Sequence, residues 1–232
     1  MTNWRFEPSR QSGQSGFSLL ELSIVLIVFG LLAGSLLTPL SAQREIADER
    51  RARQQLDLTL ETLYGYAISH GRLPCPAAPG LSSETNGAGD EDCSRQHGVI
   101  PWRTLALSET DPWGQRLTYY VRAYFTGNLA PDARATFLLD TAGNANIRPS
   151  ASSGIKHADA LPAVIVSHGR NGTGGYRTDG QRTSGSNSDE SENADADLVF
   201  VNRLPDSNFD DLVTWINPAI LNARLLAAGR LP

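Results

Sequence analysis

Positive charge is the first thing this chain has little of. Its 20 lysines and arginines are outnumbered by 25 aspartates and glutamates, for a net charge of −5. A protein that neutralises phosphates carries a basic face, so nucleic-acid binding is not indicated. Catalytic signatures are missing too. The four histidines, His70, His97, His157 and His168, are scattered, and there is no H-E-x-x-H, G-x-S-x-G or phosphate-loop lysine motif. Ser167-His168 sits at a strand end, where adjacent side chains point apart. Gly172-Thr173-Gly174-Gly175 lacks the strand–turn–helix setting of a phosphate loop, and Asn171-Gly172-Thr173 is a glycosylation sequon by pattern only. The chain does not read as an enzyme. No internal repeat stands out, and cysteine is reduced to Cys75 and Cys93.

What the chain does have is one long uncharged run. From Leu22 to Leu40 no side chain ionises, and about 19 residues is the length a helix needs to cross the hydrocarbon of a bilayer. A polar leader with Arg5 and Arg10 precedes the run and ends in the small pair Ser15-Gly16. A secretory signal is cut after its apolar stretch; here the small residues stand before it, so a cut would leave the helix on the mature chain. Glu21 lies at the front of the run. A carboxylate at the centre of a membrane helix costs roughly 2.5–3.5 kcal/mol, which marks such residues as functional. Cleavage before Phe17 would create an α-amino cation able to neutralise Glu21 on a neighbouring subunit. The alternative is a Glu21 that rests at headgroup level as the last polar residue before the span.

Gly16, then Phe17, the small or apolar Ser18 to Leu20, and Glu21 as the fifth residue from Phe17, followed by that run, resemble the prepilin signature of the type IV pilin and type II secretion pseudopilin superfamily. The resemblance implies cleavage between Gly16 and Phe17 by a prepilin peptidase, methylation of the Phe17 amine, and assembly with other pilin or pseudopilin subunits. In that setting Glu21 pairs with the Phe17 amine of a neighbour and the apolar helix packs in the filament core. It also implies a bacterial inner-membrane protein, single-pass, with a periplasmic head. Retention of Glu21 argues against the tip pseudopilin type that lacks it.

The implied fold is α+β and pilin-like: one long N-terminal helix, half membrane and half amphipathic, packed on a small antiparallel sheet. Residues 1–16 read as leader, 17–43 as transmembrane and assembly helix, 44–71 as its amphipathic continuation, and 72–232 as the head. Pro39 predicts a bend, because it removes a backbone donor. Beyond it Leu56, Leu60, Leu63 and Ala67 recur at helical steps, and Arg44, Glu45, Asp48, Glu49, Arg50, Arg51 and Arg53 fill the opposite face. Gly71 and Pro74 supply the stop. A helix from Phe17 to Ser69 would be on the order of 80 Å long. After the uncharged run ~190 residues remain, within the size of one domain, and a head larger than that of a typical major subunit leans toward a minor or specialised pilin.

Within the head, an oxidising periplasm makes Cys75 and Cys93 a disulfide candidate. Metal binding is the alternative, although two cysteines 18 positions apart make a poor zinc site. Type IVa pilins close a C-terminal loop instead, a departure. Asp111-Pro112-Trp113-Gly114 predicts a turn and resembles the head of major type II secretion pseudopilins. Strands are expected at Leu117–Phe125, Thr136–Leu139, Ala163–Ser167 and Leu198–Asn202.

The stretch between the last two strands is too polar to bury. It concentrates Asp189, Glu190, Glu192, Asp195 and Asp197. Major pseudopilins hold calcium in a comparable loop. The Gly169–Gly172 turn and Asp195-Ala196-Asp197 resemble that arrangement, with Asp189, Asp195 and Asp197 as implied ligands; a solvated acidic loop is the other reading. No other cofactor is expected. At the end, Asn217 and Pro218 predict a helix start, Ile220, Leu221 and Leu225 an apolar face, and Phe209 and Trp215 anchors. The function these features point to is a non-catalytic filament subunit. Its competitor is a membrane-anchored periplasmic binding or enzymatic domain with an uncleaved anchor.

Overall fold

The computed structural model describes residues 18–128, 134–185 and 187–231, with the side chains of 33–42 outside that set. The expected leader, Gly16, Phe17 and the Pro39 bend therefore lie outside the described residues or side chains. Two compact units are present, Met1–Ile46 and Ala47–Pro232. One helix, α1 (Leu19–His70), contributes to both.

In the first unit α1 is preceded by Ser18, whose Oγ accepts the Glu21 amide at 3.2 Å. Ser-x-x-Glu is the spacing of a capping box, so Glu21 also fits the positive end of the helix. The side chains of Leu19, Leu20, Leu22 and Ile24 to Phe29 are exposed. Among the described residues, no helix is long and apolar enough to cross a membrane. Residues 33–40, which complete the expected span, fall outside the described side chains.

In the second unit the stripe read from the sequence is the one that packs. Leu56, Leu63 and Ala67 are buried, and Leu60 is partly so. They share a core with Tyr119, Val121, Ala163, Ile165, Ile216, Leu221 and Leu225. The helix stops at Gly71, which adopts φ +68°, a left-handed conformation that glycine takes without strain. Its position is also close to the Arg134 carbonyl, which leaves no room for a Cβ.

The central sheet joins β1 (His97–Val99), β3 (Thr118–Val121), β6 (Ala163–Ser167) and β9 (Leu212–Trp215) in the order β1-β3-β6-β9, every pair antiparallel. Period-two alternation lets both faces bury. Tyr119, Val121, Ala163 and Ile165 face the helix core, whereas Tyr120, Val164 and Val166 face a second cluster with Ile147 and Phe200. Outside the sheet lie α2 (Trp102–Leu105) and a pair of β2 (Gln115–Arg116) with β7 (Tyr176–Arg177). A second sheet has the order β5-β4-β8, from β4 (Ala145–Arg148), β5 (Ala158–Leu161) and β8 (Val199–Val201). Helices α3 (Ser188–Glu192) and α4 (Pro218–Ala227) complete the unit.

Several expectations are corrected here. The β4–β8 pair is parallel, so the head is not purely antiparallel. Thr136–Leu139 forms no strand; the Thr136 amide bonds the Gly71 carbonyl and the Phe137 ring packs tilted against Phe125 with centroids 4.6 Å apart. Its apolar content serves a core contact rather than a ladder. Leu117–Phe125 is shorter as a strand, passing into a single helical turn at Ala123–Phe125. In α4, Leu221 and Leu225 are buried while Ile220 is exposed.

Candidate functional site

The two cysteines form a disulfide, Cys75–Cys93, with Cα atoms 5.0 Å apart. The loop it closes is tied down at its neck by Glu91. That carboxylate accepts from Tyr66 Oη at 2.5 Å, Arg72 Nη1 at 2.7 Å and the Cys75 amide at 2.9 Å. Burial alone would raise the Glu91 carboxyl, but the Arg72 and Tyr66 hydrogen bonds outweigh it and hold it below the usual range. A second lock is Arg116, fully buried, which donates to the carbonyls of Pro79 and Leu81 and to Glu109, and stacks on Trp102.

The acidic loop is organised differently from its sequence reading. Asp189 accepts from the Ala151 amide and pairs with Arg203 at 2.9 Å. Asp195 and Asp197 cap backbone amides of their own turn, at Asp197 and Val199. The structure does not gather Asp189, Asp195 and Asp197 into one ligand set. Three other acids, Glu190, Asp210 and Asp211, each bring an oxygen within 4.8 Å of the others. Glu190 was named in the sequence only as one acid of the loop; Asp210 and Asp211 lay in a segment read for its anchors.

These three are brought together by β9 and α3. Asn187 caps α3, accepting the Asp189 and Glu190 amides, and this directs Glu190 inward. Glu190 Oε1 accepts from Asn171 Nδ2 at 2.7 Å and from the Asp210 amide at 3.2 Å. Asp210 Oδ2 takes the Asn171 amide, and Asp211 Oδ2 takes Asn193 Nδ2 at 2.8 Å. Asp210 Oδ1 and Asp211 Oδ1 are buried and unpartnered. Burial raises the Asp211 carboxyl well above the usual range, and Asp210 is raised as well, by burial and by Glu190. Gly169, at φ +58°, brings the loop so close to Asp210 that a side chain there would strike it.

His168 adjoins the cluster. Its ring is fully buried, with Nε2 2.7 Å from Thr118 Oγ1 and Nδ1 3.8 Å from Asp211 Oδ1. Burial, with help from Arg182, lowers it to about 4. Ser167, its neighbour, donates instead to Asp111 Oδ2 at 2.7 Å, so the two side chains serve different partners as the strand geometry requires. Thr118, His168 and Asp211 follow the order hydroxyl, imidazole, carboxylate. The cavity that Thr118 lines holds only about 90 Å³, far below the ~300 Å³ at which ligand pockets begin.

The helix thus carries Glu21 in its first turn, ahead of an apolar run, and the second unit is a disulfide-bonded α+β unit. The comparisons give the chain a family. The prokaryotic N-terminal methylation motif matches residues 11–37. Type II secretion system core protein G from Aeromonas hydrophila is 31% identical over 103 residues, 44% of this chain and 68% of that protein. No solved structure matches. The chain belongs to the type IV pilin and type II secretion pseudopilin family.

Proposed function

We propose that the chain is a non-catalytic filament subunit, cut between Gly16 and Phe17 by a prepilin peptidase, methylated at Phe17, and built into a type IV pilus or type II secretion pseudopilus as a minor subunit. The observation that carries this reading is the methylation-motif match, which spans both Gly16–Phe17 and Glu21. Before assembly the subunit is anchored in the inner membrane by its apolar helix, with the head in the periplasm. Glu21 then serves two ends. It complements the helix N-terminus within its own chain, and it neutralises the Phe17 amine of a neighbour, removing the cost of a lone carboxylate in hydrocarbon.

Intact mass and N-terminal sequencing of membrane-extracted protein, made with and without the prepilin peptidase, test the processing step. Peptidase-dependent chains starting at Phe17 and carrying one methyl group are expected. A start at Met1 under both conditions would mean an uncleaved anchor and a binding or enzymatic head. With processing established, Glu21→Ala is expected to leave cleavage intact and remove the subunit from sheared filaments.

A further inference from the structure

We propose that Asn86, in the loop closed by Cys75–Cys93, is a site of spontaneous deamidation, with water as co-reactant. The site goes beyond the filament reading and does not depend on it. An asparagine deamidates when the backbone nitrogen of the next residue attacks its side-chain carbonyl. Glycine in that next position favours the attack, because it has no Cβ to shield the nitrogen. Asparagine precedes glycine at Asn86-Gly87 and at Asn171-Gly172. Local sequence does not separate the two pairs. Their surroundings in the fold do.

Asn171 is locked. Its Oδ1 accepts the Thr173 amide at 2.7 Å, its Nδ2 donates to Glu190 at 2.7 Å, and the Gly172 amide donates to the His168 carbonyl at 3.0 Å. The group to be attacked and the attacking nitrogen are therefore both engaged elsewhere. Gly172 is also crowded, since a Cβ there would stand 2.6 Å from Gln115.

Asn86 carries none of these restraints. It is exposed, and among the described residues neither its side chain nor the Gly87 amide makes a hydrogen bond. The place where a Gly87 Cβ would stand is open space. Thr85 to Ala88 form a β-turn, closed by the Ala88 amide on the Thr85 carbonyl at 3.1 Å, with Gly87 third in the turn at φ +84°. Rotation of the Asn86–Gly87 peptide, with opening of that bond, brings the Gly87 nitrogen to Asn86 Cγ. The chain is anchored just beyond: Ala88 is fully buried and Gly89 lies against the Trp102 ring. The reactive turn is thus a solvated tip on a fixed base.

The chemistry balances with water alone. A bond forms from the Gly87 nitrogen to Asn86 Cγ, the Cγ–Nδ2 bond breaks, and ammonia leaves with the proton given up by Gly87. Water then opens the five-membered imide at either carbonyl, giving aspartate or β-linked isoaspartate at position 86. Either product adds negative charge to a tip where Glu84 and Asp90 are already exposed.

The test incubates the full-length chain in detergent micelles in mildly alkaline buffer, folded and in denaturant, and maps its peptides by mass spectrometry. In the folded chain Asn86 is expected to convert, with an acidic shift on isoelectric focusing. Asn171 should convert about 100-fold more slowly, because its hydrogen bonds must open first. In denaturant that difference should vanish. Asn86→Gln, whose ring closure would need a larger and slower-forming ring, should lose the acidic shift and keep the melting transition of the unaltered chain. Equal conversion of Asn86 and Asn171 in the folded chain would overturn the proposal. So would a folded-chain Asn86 still intact once Asn171 has converted in denaturant, or an acidic shift that persists in Asn86→Gln.

Discussion

Glu91 concentrates hydrogen bonds from three residues on one half-buried carboxylate, and its protonation is therefore coupled to folding. Its folded-state pKa lies below the ordinary 4.5. A depressed acid contributes stability that is present above its unfolded value and is lost as pH falls through the folded one. Glu91→Gln is thus expected to cost about 1 kcal/mol at neutral pH, allowing for partial exposure. The difference from the unaltered protein should narrow as pH falls below 4.5 through the lowered folded-state value, which urea unfolding at several pH values measures. Equal destabilisation at pH 7 and pH 3 would assign the effect to packing instead. Residue-scale features of this kind were the least legible in the sequence. Nothing in the sequence singled out Arg116, yet it is fully buried, and carbonyls of Pro79 and Leu81, more than thirty residues upstream, converge on it. Asp210 and Asp211 could not be joined to Glu190 by pattern, since twenty residues and a strand separate them.

At the scale of elements, local chemistry did most of the specifying. The Leu56, Leu63, Ala67 stripe, the Gly71 stop and the Asn217-Pro218 start each rest on one or two turns of backbone, and each is present. Asn217 Oδ1 accepts the Ala219 amide at 2.9 Å and the Ile220 amide at 3.3 Å. Strands fared unevenly. β6 and β8 coincide with apolar β-branched runs, whereas β1, β4 and β5 carry no such run and are made by their partners. The 18-residue disulfide span is an element in its own right, irregular but closed. Reducing it, or replacing both cysteines by serine, is expected to lower stability by about 3 kcal/mol in the chain-entropy model. Denaturant titration with and without reductant reads this directly. No shift of the midpoint would mean that the Glu91 contacts alone hold the loop.

For the whole molecule, the division at Ala47 matters most. The second unit contains its own core, including Ala52, Leu56, Leu63, Tyr64 and Ala67 from the helix. A chain starting at Ala47 is therefore expected to fold, keep the Cys75–Cys93 bond and unfold cooperatively. Circular dichroism and thiol titration of that fragment check it, and loss of the melting transition would show that residues before Ala47 are required.

Sequence by itself determined the family, the apolar helical run with Glu21 at its front, the packed stripe and both caps of the main helices. Each of these is written in neighbouring residues, within reach of a few backbone bonds. Only the tertiary structure decided the strand order β1-β3-β6-β9, the parallel β4–β8 pair, the burial of Arg116, and the meeting of Glu190 with Asp210 and Asp211. Those depend on which distant segments share a sheet. Desolvation, which raises the Asp210 and Asp211 carboxyls, exists only once the segments have met.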